Sequence, residues 1–398
     1  MREPNGIIAD ELPGLVAFRR ELHMHPEIAY EEVRTATRIR EELAAAGIPL
    51  VAGLAGGTGT IAHLPGRDAH ATVALRADID ALPIVEESGR PWSSRTPGRM
   101  HACGHDGHVA ILLGTARTLA RMAREEPLPR PVTFIFQPAE EGGGGARRMV
   151  EDGCLDGSRL GPPVRSIYGL HGWPGFALGT AGTRSGPLFA SSDRFEIEIR
   201  GVGTHAAWPH LGRDPILAAA HVTTALHSIV SREIDPLDAA VVSVTRMNAG
   251  TTFNVIPPVA HLGGTARALD ENVRRTLERR IGEVARQVAA GLGCTASATY
   301  HEGYPITRNH PHAVAAFDRI ATATIGAERV RPVERPVMGG EDFAFYLERV
   351  PGCMFALGLL GAGLESMPAL HHPAFDFNDD AIATGVELFC RLVLDPAA

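Results

Sequence analysis

Lysine is absent from all 398 residues, and the 38 basic side chains are arginines. Lysine-dependent chemistry is thereby excluded: no P-loop lysine, no Schiff-base lysine and no Ser-x-x-Lys nucleophile. Cysteine is scarce. Five occur, at Cys103, Cys154, Cys294, Cys353 and Cys390, an odd number without a C-x-x-C pair. No disulfide framework is expected, and a reducing cytoplasmic setting fits. Positive charge is outnumbered by 46 acidic side chains, leaving a net charge of −8 that argues against a nucleic-acid partner. No apolar run is long enough to span a bilayer, so no membrane partner is expected. No apolar stretch follows Met1-Arg-Glu-Pro-Asn-Gly6, so no secretory signal is expected either. The motifs G-x-S-x-G, H-E-x-x-H and a strand-linked G-x-G-x-x-G are missing. Serine-hydrolase, single-zinc protease and dinucleotide readings lose their support.

What is present describes a globular chain: 44% hydrophobic and 21% charged residues, with a length that suggests two domains. Helical spacing runs through Leu12, Leu15, Val16, Phe18 and Leu22, and a second helix is predicted from about Tyr30 to Ala46. Short apolar runs at 72–77, 132–136 and 166–170 read as buried strands, with a helix at about 107–123 between the first two. That alternation predicts an α/β domain with a mostly parallel sheet flanked by helices. From Arg194 the pattern changes to strict alternation. A β-α-β-β-α-β order follows, with strands at 194–200, 239–247, 259–269 and 294–300 and helices at 214–231 and 271–290. This predicts an inserted ferredoxin-like domain. The expected boundaries are 1–187 and 301–398 for the larger α/β domain and 188–300 for the insertion, with crossings near Ser185 and Gly303 as hinges.

Polar residues cluster just past the predicted core strands: Asp78 and Asp80, then Glu140 and Glu141, then His171. Ligands bind at the carboxyl ends of strands in open α/β sheets. Cys103 and His105, in Met100-His-Ala-Cys-Gly-His-Asp-Gly-His108, are two apart and do not share a helix face, so both are expected on a loop. A thiolate with an imidazole suits Zn²⁺ or a similar ion. His101 and His108 are left outside the ligand set. Cys103, His105, Glu141, His171 and one of His371 or His372 make five ligands, more than a closed structural zinc site takes and suited to two ions. Adjacent glutamates can split the work of ligand and proton acceptor. Trp92, Trp173 and Trp208 lie near motifs and are candidates for an acyl pocket, although core packing is the commoner use.

These segments, with Leu22-His-Met-His-Pro-Glu27, Leu75-Arg-Ala-Asp-Ile-Asp-Ala-Leu-Pro83, Gln137-Pro-Ala-Glu-Glu-Gly142, Gly169-Leu-His171, Gly203-Thr-His-Ala-Ala207, Phe253-Asn-Val-Ile-Pro257, Met338-Gly-Gly-Glu-Asp-Phe343 and the Leu370–Asp379 ending, carry a resemblance. The chain resembles the dinuclear-metal amidohydrolases that include hippurate hydrolases, N-acyl-amino-acid deacylases and auxin-conjugate hydrolases, relatives of aminoacylase and of glutamate-releasing carboxypeptidase. The resemblance implies a zinc-exopeptidase-like catalytic domain, with the insertion as lid and dimerisation domain. It implies Cys103, His105, Glu141, His171 and His371 as ligands of two divalent ions (Zn, Mn, Co or Ni). Glu140 would be the general base, Asp80 an orienting residue, and His205 the group that polarises the scissile carbonyl. Asn254, Arg267 and Glu341 would contact substrate. One departure is Val202, where relatives often carry Lys. The implied reaction is amide hydrolysis of a small N-acyl-amino acid, by a homodimer or higher homo-oligomer. Dipeptide cleavage is the alternative, and a non-catalytic metal-dependent binding protein is the reading from another class.

Overall fold

The computed structural model describes residues 3–68, 70 and 72–395. In chain order, the first elements are α1 (Asn5–Met24), α2 (Val33–Ala45), β1 (Leu50–Leu54), β2 (Gly59–Leu64), β3 (Val73–Asp78), α3 (His105–Glu125), β4 (Val132–Gln137), α4 (Gly145–Glu151), β5 (Ser166–Ala177), β6 (Ala181–Gly182) and β7 (Gly186–Phe189). Then come β8 (Ser192–Arg200), β9 (Thr204–His205), α5 (Pro215–Glu233), β10 (Ala240–Ala249), β11 (Val255–Ile256), β12 (Val259–Ala268), α6 (Glu271–Gly291) and β13 (Thr295–Tyr304). The chain finishes with β14 (Thr307–Asn309), α7 (Pro311–Ile325), α8 (Ala344–Leu347), β15 (Gly352–Leu360) and α9 (Ala381–Leu394).

Two compact units form. The first comprises Met1–Leu188, Arg308–Arg335 and Asp342–Ala398; the second comprises Phe189–Thr307 and Pro336–Glu341. The first unit is built on a seven-stranded sheet in the order β1-β2-β4-β3-β5-β15-β6. Its centre, β4-β3-β5-β15, is parallel, and antiparallel strands finish both edges. Every residue of β3 and β4 is buried, which is why both read as mostly apolar, non-alternating runs. Helices α1, α3 and α9 pack on one another through residues such as Leu15, Leu22, Val109, Leu113, Val386 and Phe389. Gly114 permits this approach: a Cβ there would stand 2.5 Å from Leu15.

The second unit has the sheet order β10-β12-β8-β13, antiparallel throughout, with α5 and α6 supplying its core. This is the ferredoxin-like arrangement predicted above. Asp214 and Asp270 cap the two helices, each accepting two backbone N–H groups of the first turn. Odd-and-even alternation along β8 turns Phe195, Ile197 and Ile199 towards the helices and Arg194, Glu196 and Arg200 away from them.

Two local expectations are corrected. The helix predicted from Tyr30 begins at Val33, because Tyr30 takes a left-handed φ of 65°. The strand at 166–170 continues to Ala177, so His171 lies within β5 rather than beyond its end. All five cysteines are free and buried. Among the described residues no helix is long and apolar enough to cross a membrane.

Candidate metal centre

The site of the first unit gathers at the carboxyl ends of β3 and β4, on β5, at the start of α3 and on the loop before α9. The loop expected to carry both Cys103 and His105 ends one residue early. His105 is the first residue of α3, and Gly104 turns the chain before it with φ 88°. That left-handed turn needs glycine and lets residues two apart reach one centre.

The ligand-type atoms converge. Those of Cys103, His105 and His171 lie within 4.8 Å of one another, as do those of Cys103, Glu141 and His371, and those of His105, Glu140 and Glu141. The Cys103 Sγ is 3.4 Å from Nε2 of His171 and 3.3 Å from Nε2 of His371. The same His371 nitrogen is 3.1 Å from Oε1 of Glu141. His371 reaches in with φ 66° and fixes its backbone through an N–H bond of 2.8 Å to the carbonyl of Ala102. His372 is exposed, and its Nδ1 accepts the N–H of Ala374. Geometry therefore brings His371 into the cluster and leaves His372 outside it.

Hydrogen bonds set the tautomers. His171 donates from Nδ1 to its neighbour's carbonyl at Gly172, 2.9 Å, which leaves Nε2 with a lone pair. His105 donates from Nδ1 to the carbonyl of Asp80, 2.9 Å. Its buried Nε2 has no hydrogen-bond partner and stands 3.6 Å from Asp78. A buried acceptor left open in this way fits a cation. Electrostatics agree. Burial, then the neighbouring His108 ring, pushes His171 down to about 3, so it is neutral and its Nε2 lone pair is open to a metal. Burial, then the Glu141 carboxylate, pushes the Cys103 thiol well above its ordinary range, so a thiolate there needs a cation beside it. Burial opposes charge on His105 too, but Asp78 and Asp80 lift it to about 10. The carboxylate field that favours a proton on this ring favours a metal ion equally. The donor set fits two divalent ions.

The family model for peptidase family M20/M25/M40 matches residues 74–395. The chain is a member of this family. N-acetylcysteine deacetylase of Bacillus subtilis is 41% identical over 380 residues, 96% of each chain. The Arabidopsis thaliana IAA-amino acid hydrolase ILR1-like 4 is 39% identical over 387 residues, 95% of this chain and 84% of the other. The solved Bacillus subtilis YXEP protein, a dinuclear metal-binding peptidase of the M20 family, matches with a TM-score of 0.83 at 37% identity, covering 97% of this chain and 98% of that one. This M20 protein is a metal-dependent hydrolase.

Glu140 and Asp80 belong to the same cluster. Glu140 is buried and accepts the N–H of Asp342 at 3.4 Å. It follows Ala139, whose φ of 55° is a strained left-handed value for a residue with a Cβ. The four remaining candidates belong to the second unit. His205 on β9 pairs with Val255 of β11, and the next residue's N–H bonds the carbonyl of Asn254. Arg267 on β12 is half-buried on the open face of the sheet, and Glu341 is buried with its carbonyl accepting the Thr307 hydroxyl. Trp173 stands edge-on to His171 at 6.3 Å, Trp92 stacks under Arg20, and Trp208 is exposed.

Two residues were given no role from the sequence: Asp78, noted only as a strand-end acid, and His108, left outside the ligand set. Asp78 and His108 are fully enclosed. His108 donates from Nδ1 to Asp78, 2.6 Å, and accepts the N–H of Gly172 at Nε2, 2.9 Å. They brace the peptide that follows His171. The pairing of a strand-end aspartate with a motif histidine was the available signal.

Proposed function

We propose that this M20 protein hydrolyses the amide bond of small N-acyl-amino acids, releasing a carboxylic acid and a free amino acid. The observation that carries the reading is the division between adjacent carboxylates. Glu141 turns to His371 and the thiol, whereas Glu140 turns to the backbone of Asp342. One is set as a ligand and the other as a base.

In this reading Cys103, His105, Glu141, His171 and His371 would hold two ions. When bound, such ions lower the pKa of water and polarise a carbonyl. Glu140 removes a proton as water oxygen bonds the carbonyl carbon, then returns it to nitrogen as the C–N bond breaks. Asp80 orients His105. His205 donates to the carbonyl oxygen. Its Nδ1 accepts the N–H of Ala207 at 3.0 Å, which leaves the proton on Nε2. Arg267 holds the substrate carboxylate, and Asn254 and Glu341 contact the substrate. A thiolate favours Zn²⁺, and the oxygen ligands also accept Mn²⁺, Co²⁺ or Ni²⁺.

The protein acts as a cytoplasmic homodimer through the second unit, which serves as lid and dimerisation domain. Support comes from Trp208, Leu211, Ile216, Leu217, Phe253 and Val255, large apolar side chains left exposed on that unit. The relatives' names support the substrate class. The testing experiment reconstitutes the apoprotein with each metal and assays N-acetyl, N-benzoyl and dipeptide substrates. N-acyl-amino acids should turn over fastest. Faster dipeptide cleavage would favour the exopeptidase alternative, and no hydrolysis with both metal positions filled would mean a binding protein.

A further inference from the structure

We infer that Arg19 is a positioning residue that fastens the His371 arm to the Cys103–His105 turn and so sets one of the two metal positions. The inference rests on the ligand assignment proposed above.

Arg19 lies on α1, near none of the ligands in sequence, and its side chain is 0% exposed. A buried guanidinium is costly unless opposite charge surrounds it. Here the pairs join two separate segments. Nε is 2.8 Å from Oδ2 of Asp106, the residue after His105, a charge contact outside hydrogen-bond geometry. The Nη2 group bonds Asp376, and Nη1 is 3.5 Å from Asp379. Asp376 and Asp379 follow His371 on the loop into α9.

Asp106 is held from a second side by Nδ1 of His23, 2.8 Å, also on α1. The Arg19 and His23 charges keep the Asp106 carboxyl well below its usual range despite complete burial. Asp376 accepts the indole N–H of Trp92 at 3.2 Å. The two segments also meet directly. The Phe377 ring lies where a Cβ on Gly107 would be, 2.5 Å away, and the His371 N–H bonds Ala102. Arg19 is the charged clamp across that seam. It determines how far His371 stands from Cys103. His171, on β5, is oriented by Gly172 and His108 instead, outside this network.

A general structural role would weaken both metal positions alike; a positioning role weakens the Cys103–Glu141–His371 position selectively. The test titrates full-length apoprotein with Co²⁺, following the thiolate-to-cobalt charge-transfer and d–d bands, with stoichiometry from elemental analysis. Arg19→Lys keeps the charge and loses the fork. Asp376→Asn cuts the tie to the His371 arm and leaves Asp106 paired. In each variant one ion should bind as in wild type and the other about 10-fold or more weakly. Equal weakening of both ions, or no weakening, overturns the inference. If Arg19→Lys does not fold, Asp376→Asn decides. Wild-type protein that binds fewer than two ions, or shows no thiolate band, would instead overturn the ligand assignment.

Discussion

Asp80 and His105 are joined twice: Nδ1 of His105 lies 2.9 Å from the Asp80 carbonyl and 3.2 Å from its Oδ1. The second carboxylate oxygen of Asp80 accepts the N–H of Glu141, 2.9 Å. One side chain therefore orients two proposed ligands. Asp80→Asn keeps one acceptor and aims an NH₂ at the other partner. Its metal affinity should fall about 10–100-fold, measured by competition with a chelator.

Glu140→Gln should bind both ions nearly as wild type does, since Glu141 supplies the proposed ligand oxygen. Its turnover should fall at least about 100-fold at unchanged metal content. Near-wild-type rates in the substrate panel would remove Glu140 from the base role.

Gly107→Ala inserts a methyl group 2.5 Å from the Phe377 ring. The ring cannot readily give way, because it is packed in the core. Denaturant unfolding should show a loss of about 1–3 kcal/mol. A variant as stable as wild type would mean that the ring relocates freely.

His23 supplies a pH dependence. Burial opposes its charge, but Asp106 and Glu86 push it up to about 9. A group raised above its unfolded value stabilises fully below about 6.5 and loses that contribution as pH rises through 9. The metal-free wild type should therefore lose about 2 kcal/mol more between pH 7 and pH 10 than His23→Gln does. Parallel pH profiles for the two proteins would contradict the assignment.

Phe253 is fully exposed on the second unit. If this face joins two copies, Phe253→Asp should shift the sedimentation coefficient to that of a monomer while leaving the metal content intact. An unchanged coefficient in both proteins would exclude this face as the interface.

The parallel centre of the sheet was legible because β3 and β4 are buried on both faces and are mostly apolar without alternation. The edge strands were not. β1 is half exposed and β2 mixes Gly59, Thr60 and His63 with apolar residues, so neither repeats at a clear period. Spacing alone brought Cys103, His105, Glu141 and His171 together as ligand types. It could not choose between His371 and His372, because the choice depends on a left-handed backbone at His371 and an anchor on Ala102. Nor could it pair Arg19 with Asp106 and Asp376, since burial of a full charge shows only in three dimensions.

Cys103 and His371 meet although 268 positions separate them along the chain. Their junction is expected to close late, after the parallel strands between them have assembled. Contacts of such long sequence separation are slow to form. Cobalt colour from the thiol would thus serve as a clock for the last stage of refolding, lagging behind far-ultraviolet ellipticity.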